Sequence, residues 1–279
     1  MADPTRNDLP PLLYGTAWKE DATAELVATA LRAGFRGIDT ANQPRHYRED
    51  LVGAGLVRAR DAGIPRESLF LQSKFTFARS HDHRVPYDAT ANYATQVQTS
   101  FSGTLEHLHT DYLDAFLLHG PLTRQGIVDG DLEVWSALEG LHRAGRTRNI
   151  GVCNVSIDQL VALRAAAQIG PHIVQNRCYA KYGWDEEVRD YCAEHGIVYQ
   201  GFSVLTANRH VTLAPEVLAI AERVHATPAQ VVFHFARRIG IVPLTGTKDT
   251  AHMLDGLRSG ELSLSFDDLA TIAALDAPD

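Results

Sequence analysis

The sequence predicts an α/β fold, a (β/α)8 or TIM barrel, on two observations. Apolar runs of strand length alternate with amphipathic segments of helix length from one end of the chain to the other. Eight such strands occur in about 250 residues, the usual size of this barrel. A doubly wound sheet is the structural alternative, and periodicity does not exclude it. The nucleotide-binding motifs typical of such sheets, GxGxxG after the first strand and GxxxxGK[ST], are not present.

The predicted strands are short and apolar, and helical patterns separate them. The strands are Leu12–Gly15, Gly37–Thr40, Leu69–Lys74, Tyr112–His119, Asn149–Asn154, Ile173–Cys178, Ile197–Val204 and Ile241–Thr245. The helical patterns include Asp21–Ala33, Tyr93–Leu108, Leu132–Ala144, Glu186–His195, Ala214–Val224, Pro228–Arg238 and Phe266–Leu275. Gly34, Gly145 and Gly196 each follow such a pattern, where a left-handed residue commonly ends a helix. No Pro/Gly/Ser-rich linker divides the chain, so we expect one catalytic barrel domain over residues 1–279.

Composition excludes several classes of protein. The chain has 279 residues, 45% of them hydrophobic and 22% charged, which is typical of a soluble globular protein. Its formal net charge of −8 argues against a nucleic-acid partner, which usually requires a basic stripe. Cys153, Cys178 and Cys192 have no disulfide or zinc spacing. Because the first residues lack a signal-peptide pattern and no run of eighteen apolar residues occurs, we expect a cytoplasmic protein without a membrane span, and a monomer.

Polar residues are concentrated where the predicted strands end. In a barrel of this type, side chains at the carboxyl ends of the strands surround the active site. The residues at these ends are Asp39, Lys74, His119, Asn154, Gln175, Phe202, Ser203, Thr245, Thr247 and Lys248. Any one of them is more often structural than functional, but their convergence on one rim favours an active site.

Three other kinds of barrel enzyme fit the sequence less well. A metal-dependent hydrolase would need paired histidines near the first strand, and the pairs His81/His83 and His107/His109 are expected at the surface, so no metal site is predicted. A glycosidase would need two carboxylic acids across the cleft. A Schiff-base aldolase could use Lys74, but the charge of Asp39 would hold this lysine protonated, which suits an electrostatic role instead.

Several segments resemble the aldo-keto reductase family, in order and over nearly the whole chain. They are GFRGIDTA (34–41) followed by Tyr47, Glu49 and Val52-Gly53, LFLQSKF around Lys74, Leu117-Leu118-His119, RTRNIGVCN (146–154), VQNRCY (174–179) and the tract 194–205. The stretch 146–154 is similar to the family pattern GKVRxIGVSN, with Cys153 where serine is usual.

The resemblance implies reversible hydride transfer between a nicotinamide cofactor and the carbonyl group of a small molecule. Tyr47 is then the general acid, because reduction turns a carbonyl into an alkoxide that needs a proton. Lys74 would stabilise the tyrosinate, Asp39 would fix the lysine, and His119 would orient the carbonyl or share in the proton transfer.

The resemblance also assigns binding residues. Asn154 and Gln175 would hold the nicotinamide carboxamide and Phe202 would stack on its ring, with a place in the barrel core as the alternative for Phe202. Trp18 corresponds to a position that lines the substrate pocket. The remaining cofactor contacts implied are Ser203, Leu205, Thr245, Thr247 and Lys248.

Two departures from the family pattern affect these assignments. Tyr47 lies eight residues after Asp39, a longer spacing than usual, so the loop that presents its hydroxyl is extended. After the last strand no arginine occurs before Arg258, so we expect Thr245, Thr247, Lys248 and the N-terminus of the next helix to bind a phosphate. NADP (NADPH) is the expected cofactor, with NAD as the alternative.

A second hypothesis is a cofactor-binding regulatory or scaffold protein that turns over little. The extended tyrosine loop is the feature that favours it. The enzyme is favoured because all four catalytic positions implied by the resemblance are present, namely Asp39, Tyr47, Lys74 and His119.

Overall fold

The computed structural model describes residues 9–275, which form a closed barrel of eight parallel strands. The strands are β1 Leu13–Gly15, β2 Gly37–Asp39, β3 Phe70–Phe75, β4 Leu113–Leu118, β5 Thr147–Cys153, β6 Ile173–Arg177, β7 Val198–Phe202 and β8 Ile241–Thr245. Each strand pairs with the next in the chain, and β1 closes the barrel on β8, with Leu13 opposite Leu244. The predicted (β/α)8 barrel is confirmed, and the doubly wound alternative is wrong.

Helices form the outer layer. They are α1 Thr23–Ala33, α2 Glu49–Asp61, α3 Tyr93–Leu108, α4 Asp129–Arg143, α5 Ile157–Ala166, α6 Glu186–Glu194, α7 Arg209–Thr212, α8 Pro215–Arg223, α9 Pro228–Arg238, α10 Thr250–Arg258 and α11 Phe266–Ala273. Between β7 and β8 the chain makes three helices, α7 to α9, whereas a single α-helix follows each of β1 to β6. The predicted strands and helical patterns lie at these places, with ends that differ by a few residues.

The chain fixes its helix ends by local chemistry. Thr227 begins α9: its hydroxyl accepts a hydrogen bond from the backbone N–H of Gln230, and the Gln230 side chain accepts one in return from the Thr227 N–H. The predicted glycines follow α1, α4 and α6 with positive φ, at 120° for Gly34, 70° for Gly145 and 69° for Gly196. A residue without a Cβ adopts this backbone at little cost, so the chain leaves each helix directly toward the next strand.

The interior of the barrel changes from apolar to polar along its axis. An apolar cluster inside the barrel packs the side chains Leu13, Phe70, Ala115, Leu117, Cys153, Ile173, Val198 and Leu244. Inward-facing residues recur at every second position of a strand, so Phe70, Gln72 and Lys74 of β3 follow one another up the interior. Along β3 the interior therefore changes from an aromatic ring to an amide and then to an ammonium group toward the carboxyl end, where the barrel opens.

The buried carboxylate of Glu49, at the start of α2, connects three elements. It accepts hydrogen bonds from the hydroxyls of Ser73 in β3, at 2.5 Å, and Thr104 in α3, at 3.0 Å. The His107 ring lies 3.2 Å from the same carboxylate. The expected surface position of His81 is wrong, because His81 is buried and its Nε2 donates to the Thr76 carbonyl. His107 is half-exposed.

Within residues 9–275 we find no helix long and apolar enough to cross a membrane. The same residues contain no group of three or more His, Cys, Asp or Glu side chains that could hold a metal ion. Cys153, Cys178 and Cys192 are buried free thiols.

Candidate active site

A cavity of about 1150 Å³ opens at the carboxyl ends of the strands. Every site residue expected from the sequence lines this cavity except Lys74, which lies beneath it. Those that line it are Trp18, Asp39, Tyr47, His119, Asn154, Gln175, Phe202, Ser203, Leu205, Thr245, Thr247 and Lys248. One pocket thus collects residues that are spread over more than two hundred positions of the chain.

Asp39 and Lys74 form a buried ion pair at the base of the cavity. The Lys74 Nζ donates to Asp39 Oδ1 at 2.7 Å and to the Thr40 carbonyl at 2.8 Å. Burial alone would lower the pKa of Lys74, but the Asp39 carboxylate and Tyr47 raise it above its ordinary value. The lysine therefore stays an ammonium ion, which opposes its use as a Schiff-base nucleophile.

Two glutamines contact the same carboxylate and a third connects them, and we call Asp39, Lys74, Gln72, Gln175 and Gln200 the polar floor. Asp39 Oδ1 also accepts from Gln72 Nε2 at 2.7 Å and from Gln175 Nε2 at 2.9 Å. Gln200 Oε1 accepts from both of these amides, and its own Nε2 donates to Gln72 Oε1 at 3.0 Å. Each amide group is oriented by these partners, because the reverse orientation would place two oxygens against each other.

Gln72 and Gln200 were not among the residues expected at the site. Both are fully buried in the middle of a strand, and both are flanked by apolar or small residues in LFLQSKF and VYQGF. A glutamine at an inward position of a buried strand was the signal that could have identified them, because a buried amide requires partners.

The extended loop after β2 is held at several points. Asn42 Nδ2 donates to the Ser100 carbonyl at 3.0 Å, and Gln43 Nε2 donates to the Ser80 carbonyl at 2.9 Å. The backbone N–H of Tyr47 in turn donates to the Gln43 carbonyl at 3.0 Å, which closes a turn. The additional residues therefore form a fixed turn at the mouth of the barrel.

This turn directs Tyr47 and His46 to different neighbours. The Lys74 Nζ lies 5.6 Å from the centroid of the Tyr47 ring, and the His119 ring lies 6.0 Å from it. The His46 ring packs against Trp18 at a tilt of 41°, with centroids 4.1 Å apart, and its Nδ1 contacts Gln43 Oε1 at 2.8 Å. Tyr47, and not His46, thus lies against the ammonium of the polar floor.

The protonation states of Tyr47 and His119 follow from their surroundings. Burial raises the pKa of Tyr47 to about 12, although the charge of Lys74 opposes this rise. Loss of hydration and the charge of Lys74 hold the pKa of His119 well below 6.5. At neutral pH the tyrosine carries its proton and the histidine is uncharged.

Thr76, which was not expected at the site, contacts the His119 ring. Its Oγ1 lies 2.7 Å from His119 Nδ1. When the threonine hydroxyl donates to Nδ1, the proton of the neutral ring lies on Nε2, which can donate to a carbonyl oxygen. Nothing in the sequence marks Thr76 beyond its position two residues after Lys74.

Asn154, Gln175 and Phe202 lie on one side of the cavity. Asn154 has a φ of 55°, and its Nδ2 donates to the His119 carbonyl at 2.7 Å. Gln175 Oε1 has a single weak contact among residues 9–275, the Cys153 thiol at 3.8 Å. The Arg177 guanidinium lies 5.4 Å from the centroid of the half-buried Phe202 ring. Asn154 and Gln175 therefore each retain a carbonyl oxygen able to accept a hydrogen bond.

Two lysines lie where β8 meets β1. Lys248 is exposed, whereas Lys19 is buried and its Nζ donates to the Gly246 carbonyl. Burial and the charge of Lys248 lower the pKa of Lys19 to about 8. Lys19 was not predicted as a site residue from the sequence, although it directly follows Trp18, which was.

The helix N-terminus after β8 differs from the expectation. Asp249 caps α10, and its Oδ1 accepts from the N–H groups of Ala251 at 2.7 Å and His252 at 3.1 Å. The first backbone N–H groups of α10 were expected to bind a phosphate, but two of them already donate to the Asp249 carboxylate. An acidic residue at this position commonly accepts hydrogen bonds from the free N–H groups of a helix N-terminus.

Comparison with known proteins agrees with this geometry. The family model for the Aldo/keto reductase family matches residues 12–277. The glyoxal reductase of Bacillus subtilis is 31% identical over 253 residues, covering 90% of this chain and 83% of the relative. The NAD(P)H-dependent D-xylose reductase of Scheffersomyces stipitis is 29% identical, covering 96% of this chain and 91% of its own.

Two solved structures are similar over nearly the whole barrel. An aldo/keto reductase from Brucella melitensis has a TM-score of 0.82 at 26% identity, covering 96% of this chain and 95% of its own. An aldo-keto reductase solved in complex with NADPH also has a TM-score of 0.82, at 25% identity, covering 98% of this chain and 86% of its own.

Proposed function

The chain belongs to the aldo/keto reductase family, and we propose that it reduces an aldehyde or ketone to an alcohol, with a nicotinamide nucleotide as hydride donor and Tyr47 as general acid. One observation carries this proposal: the Lys74 ammonium and the His119 ring both lie within about 6 Å of the Tyr47 ring, which lines a large cavity.

The chemistry of the chain's own residues fits a reduction. A bound nicotinamide nucleotide supplies the hydride. Neutral His119 orients the carbonyl through Nε2–H, and Tyr47 donates its proton to the oxygen as negative charge develops there. Lys74, fixed by Asp39, stabilises the tyrosinate that remains and so lowers the cost of giving up a proton from a hydroxyl whose pKa is about 12.

The acceptors on the cavity wall fit a nicotinamide carboxamide. Its amino group has two hydrogens, and Asn154 Oδ1 and Gln175 Oε1 are two oxygens able to accept them. Phe202 provides an aromatic face for the nicotinamide ring. Ser203, Leu205, Thr245 and Thr247 line the part of the cavity where the rest of the nucleotide would lie.

We propose NADPH as the preferred nucleotide, with NADH also accepted. Lys248 favours the 2′-phosphate and the Asp249 carboxylate opposes it, so the preference is small. Lys248→Ala should abolish the preference for NADPH, and Asp249→Asn should increase it. Fluorescence titration with each nucleotide measures both effects, and equal affinities in the wild-type protein would contradict the proposal.

The names of the relatives support a small carbonyl substrate. They are reductases of glyoxal, methylglyoxal and D-xylose at about 30% identity. The test is oxidation of NADPH and NADH with a panel of aldehydes and ketones. Tight nucleotide binding without turnover of any carbonyl would instead favour the regulatory or scaffold role. Trapping of Lys74 by borohydride without nucleotide would favour a Schiff-base lyase.

We further propose that residues 1–279 act as one catalytic domain, as a monomer in the cytoplasm. The three buried free thiols support a reducing compartment. Light scattering that gives the mass of a dimer would contradict the monomer.

A further inference from the structure

Positive charge dominates the lining of the active-site cavity. Five cationic side chains line it: Lys19, Arg79, Arg124, Arg177 and Lys248. Among the residues that the structure describes, Asp39 is the single carboxylate in this lining, and its Oδ1 is engaged by Lys74, Gln72 and Gln175. Apart from Asp39, no acidic side chain of the described residues lines the cavity beside these cationic groups.

The five cations divide into two sets by the strands that precede them. Lys248 and Lys19 lie at the junction of β8 and β1, and Arg177 ends β6 beside Phe202, all on the side proposed to hold the nucleotide. Arg79 and Arg124 follow β3 and β4, across the barrel. The phosphates of the nucleotide account for the first set and leave Arg79 and Arg124 unexplained.

The segment that carries Arg79 is anchored beside His119. Arg79 Nη2 donates to the carbonyl of Pro121 at 3.1 Å, which connects the loop after β3 to the loop after β4. No carboxylate within residues 9–275 pairs with Arg79. The nearest acid in the sequence, Asp82, is engaged by Arg84 at 2.5 Å. The remaining N–H groups of Arg79 can therefore serve an incoming anion.

The loop that carries Arg124 is held on both sides of it. The side-chain amide Nε2 of the buried Gln159 donates to the carbonyl of Thr123 at 3.0 Å and to that of Gly126 at 2.9 Å. The Arg124 side chain is exposed and has no ion-pair partner in the described part of the chain. The backbone beneath this guanidinium is thus fixed before any ligand binds.

We propose that the substrate is a carbonyl compound that also carries an anionic oxygen group, a carboxylate or a phosphate, held by Arg79 and Arg124. This rests on the function proposed above and assigns the substrate class of the same site. Guanidinium groups suit both anions, since their N–H donors match the oxygens of either. Trp18, Phe77 and Pro121 supply apolar walls for the body of such a molecule.

Matched pairs of substrates test the proposal. The pairs are 4-carboxybenzaldehyde with 4-methylbenzaldehyde, and glyceraldehyde 3-phosphate with glyceraldehyde. We expect kcat/KM for the anionic member of at least one pair to exceed that of the neutral member by about tenfold, through KM, and the excess to shrink with added salt. The pair that shows the excess identifies the anion as carboxylate or phosphate.

Variants locate the effect. In Arg79→Gln/Arg124→Gln the ratio of kcat/KM for the anionic member to that for the neutral member should fall to about unity. Arg146→Gln removes one guanidinium charge at the opposite end of the barrel, before β5, and should leave the excess unchanged. Binding of the alcohol product 4-carboxybenzyl alcohol, followed by tryptophan fluorescence, gives a readout that is independent of turnover and should weaken in the double variant.

The outcomes separate this inference from the proposed function. Reduction of neutral and anionic aldehydes at equal kcat/KM would overturn the anionic substrate class and leave the reductase intact. A preference that survives in the double variant would overturn the assignment to Arg79 and Arg124. Absence of reduction with every aldehyde would count against the proposed function itself.

Discussion

The polar floor and the rim of the same cavity are built in opposite ways. In the floor every amide and charge has partners from other strands, and Asp39 Oδ1 alone accepts three hydrogen bonds. On the rim, Trp18 is 63% exposed, and Arg124 and Lys248 lie in solvent without ion-pair partners within residues 9–275. In the floor the amide and ammonium donors are used internally and Gln175 Oε1 remains able to accept a hydrogen bond, whereas the exposed cations of the rim keep N–H donors for a ligand.

This difference assigns separate tasks to the two regions. A buried charge is tolerable only when it is paired and hydrogen-bonded, so the floor fixes the Lys74 ammonium in one position. That fixed charge is what proton donation from Tyr47 requires. Exposed groups have little effect on folding, so the rim can use its cations to bind ligands.

The largest effect on stability is expected where a charge of the floor is left unpaired. Lys74→Met leaves the Asp39 carboxylate buried without its cation and should lower the free energy of unfolding by about 3–5 kcal/mol. The double variant Asp39→Leu/Lys74→Met should recover part of this loss. Urea denaturation measures both variants, and a single variant as stable as the wild type would show that the floor is not a coupled unit.

The glutamines of the floor should matter less than its charges, but still clearly. Gln72→Leu removes a donor to Asp39 and leaves the Nε2 of Gln200 without an acceptor. An unsatisfied buried polar group costs about 1–3 kcal/mol. Gln98→Leu, the same change at an exposed position of α3, is the control and should have little effect. Equal stabilities of the two variants would remove the distinction between floor and surface.

A rim residue should affect binding without affecting the fold. Phe202→Ala should weaken NADPH binding roughly threefold to tenfold, since a stacked aromatic pair is worth about 0.5–1.5 kcal/mol beyond its burial. Binding of 2′-phospho-ADP-ribose, which lacks the nicotinamide, should not change. Unfolding of the variant, with nucleotide affinity retained in the native fraction, would instead place Phe202 in the barrel core.

The smallest effect is expected outside both regions, at the half-exposed His107. Its hydrogen bond to the Glu49 carboxylate raises its pKa above the ordinary 6.5. Protonated His107 therefore stabilises the fold fully below pH 6.5, and this contribution is lost as the pH rises above that value. His107→Gln should be slightly less stable than the wild type at pH 5.5 and closer to it at pH 9. Thermal unfolding at both values is the measurement, and a larger deficit at pH 9 would contradict the pairing.

The sequence predicted the barrel well because its short apolar strand runs and the glycines that end its helices are local signals. It also predicted which strand ends converge, since a parallel barrel brings every carboxyl end to one face. What it did not predict depends on three-dimensional pairing. Gln72 and Gln200 are 128 positions apart and gain their role only through contact, and Asp249 became a helix cap where a phosphate was expected.

The proposed mechanism depends most directly on which residue gives up the proton. Single-turnover hydride transfer, followed with a good aldehyde in Tyr47→Phe and His46→Ala, tests this without interference from cofactor release. Tyr47→Phe removes one oxygen, so the rate should fall by about 10²–10⁴-fold while NADPH affinity changes little. His46→Ala should be much milder, because His46 packs against Trp18 and not against Lys74. A Tyr47→Phe protein with the wild-type rate, together with an inactive His46→Ala protein, would contradict the account and make His46 the acid.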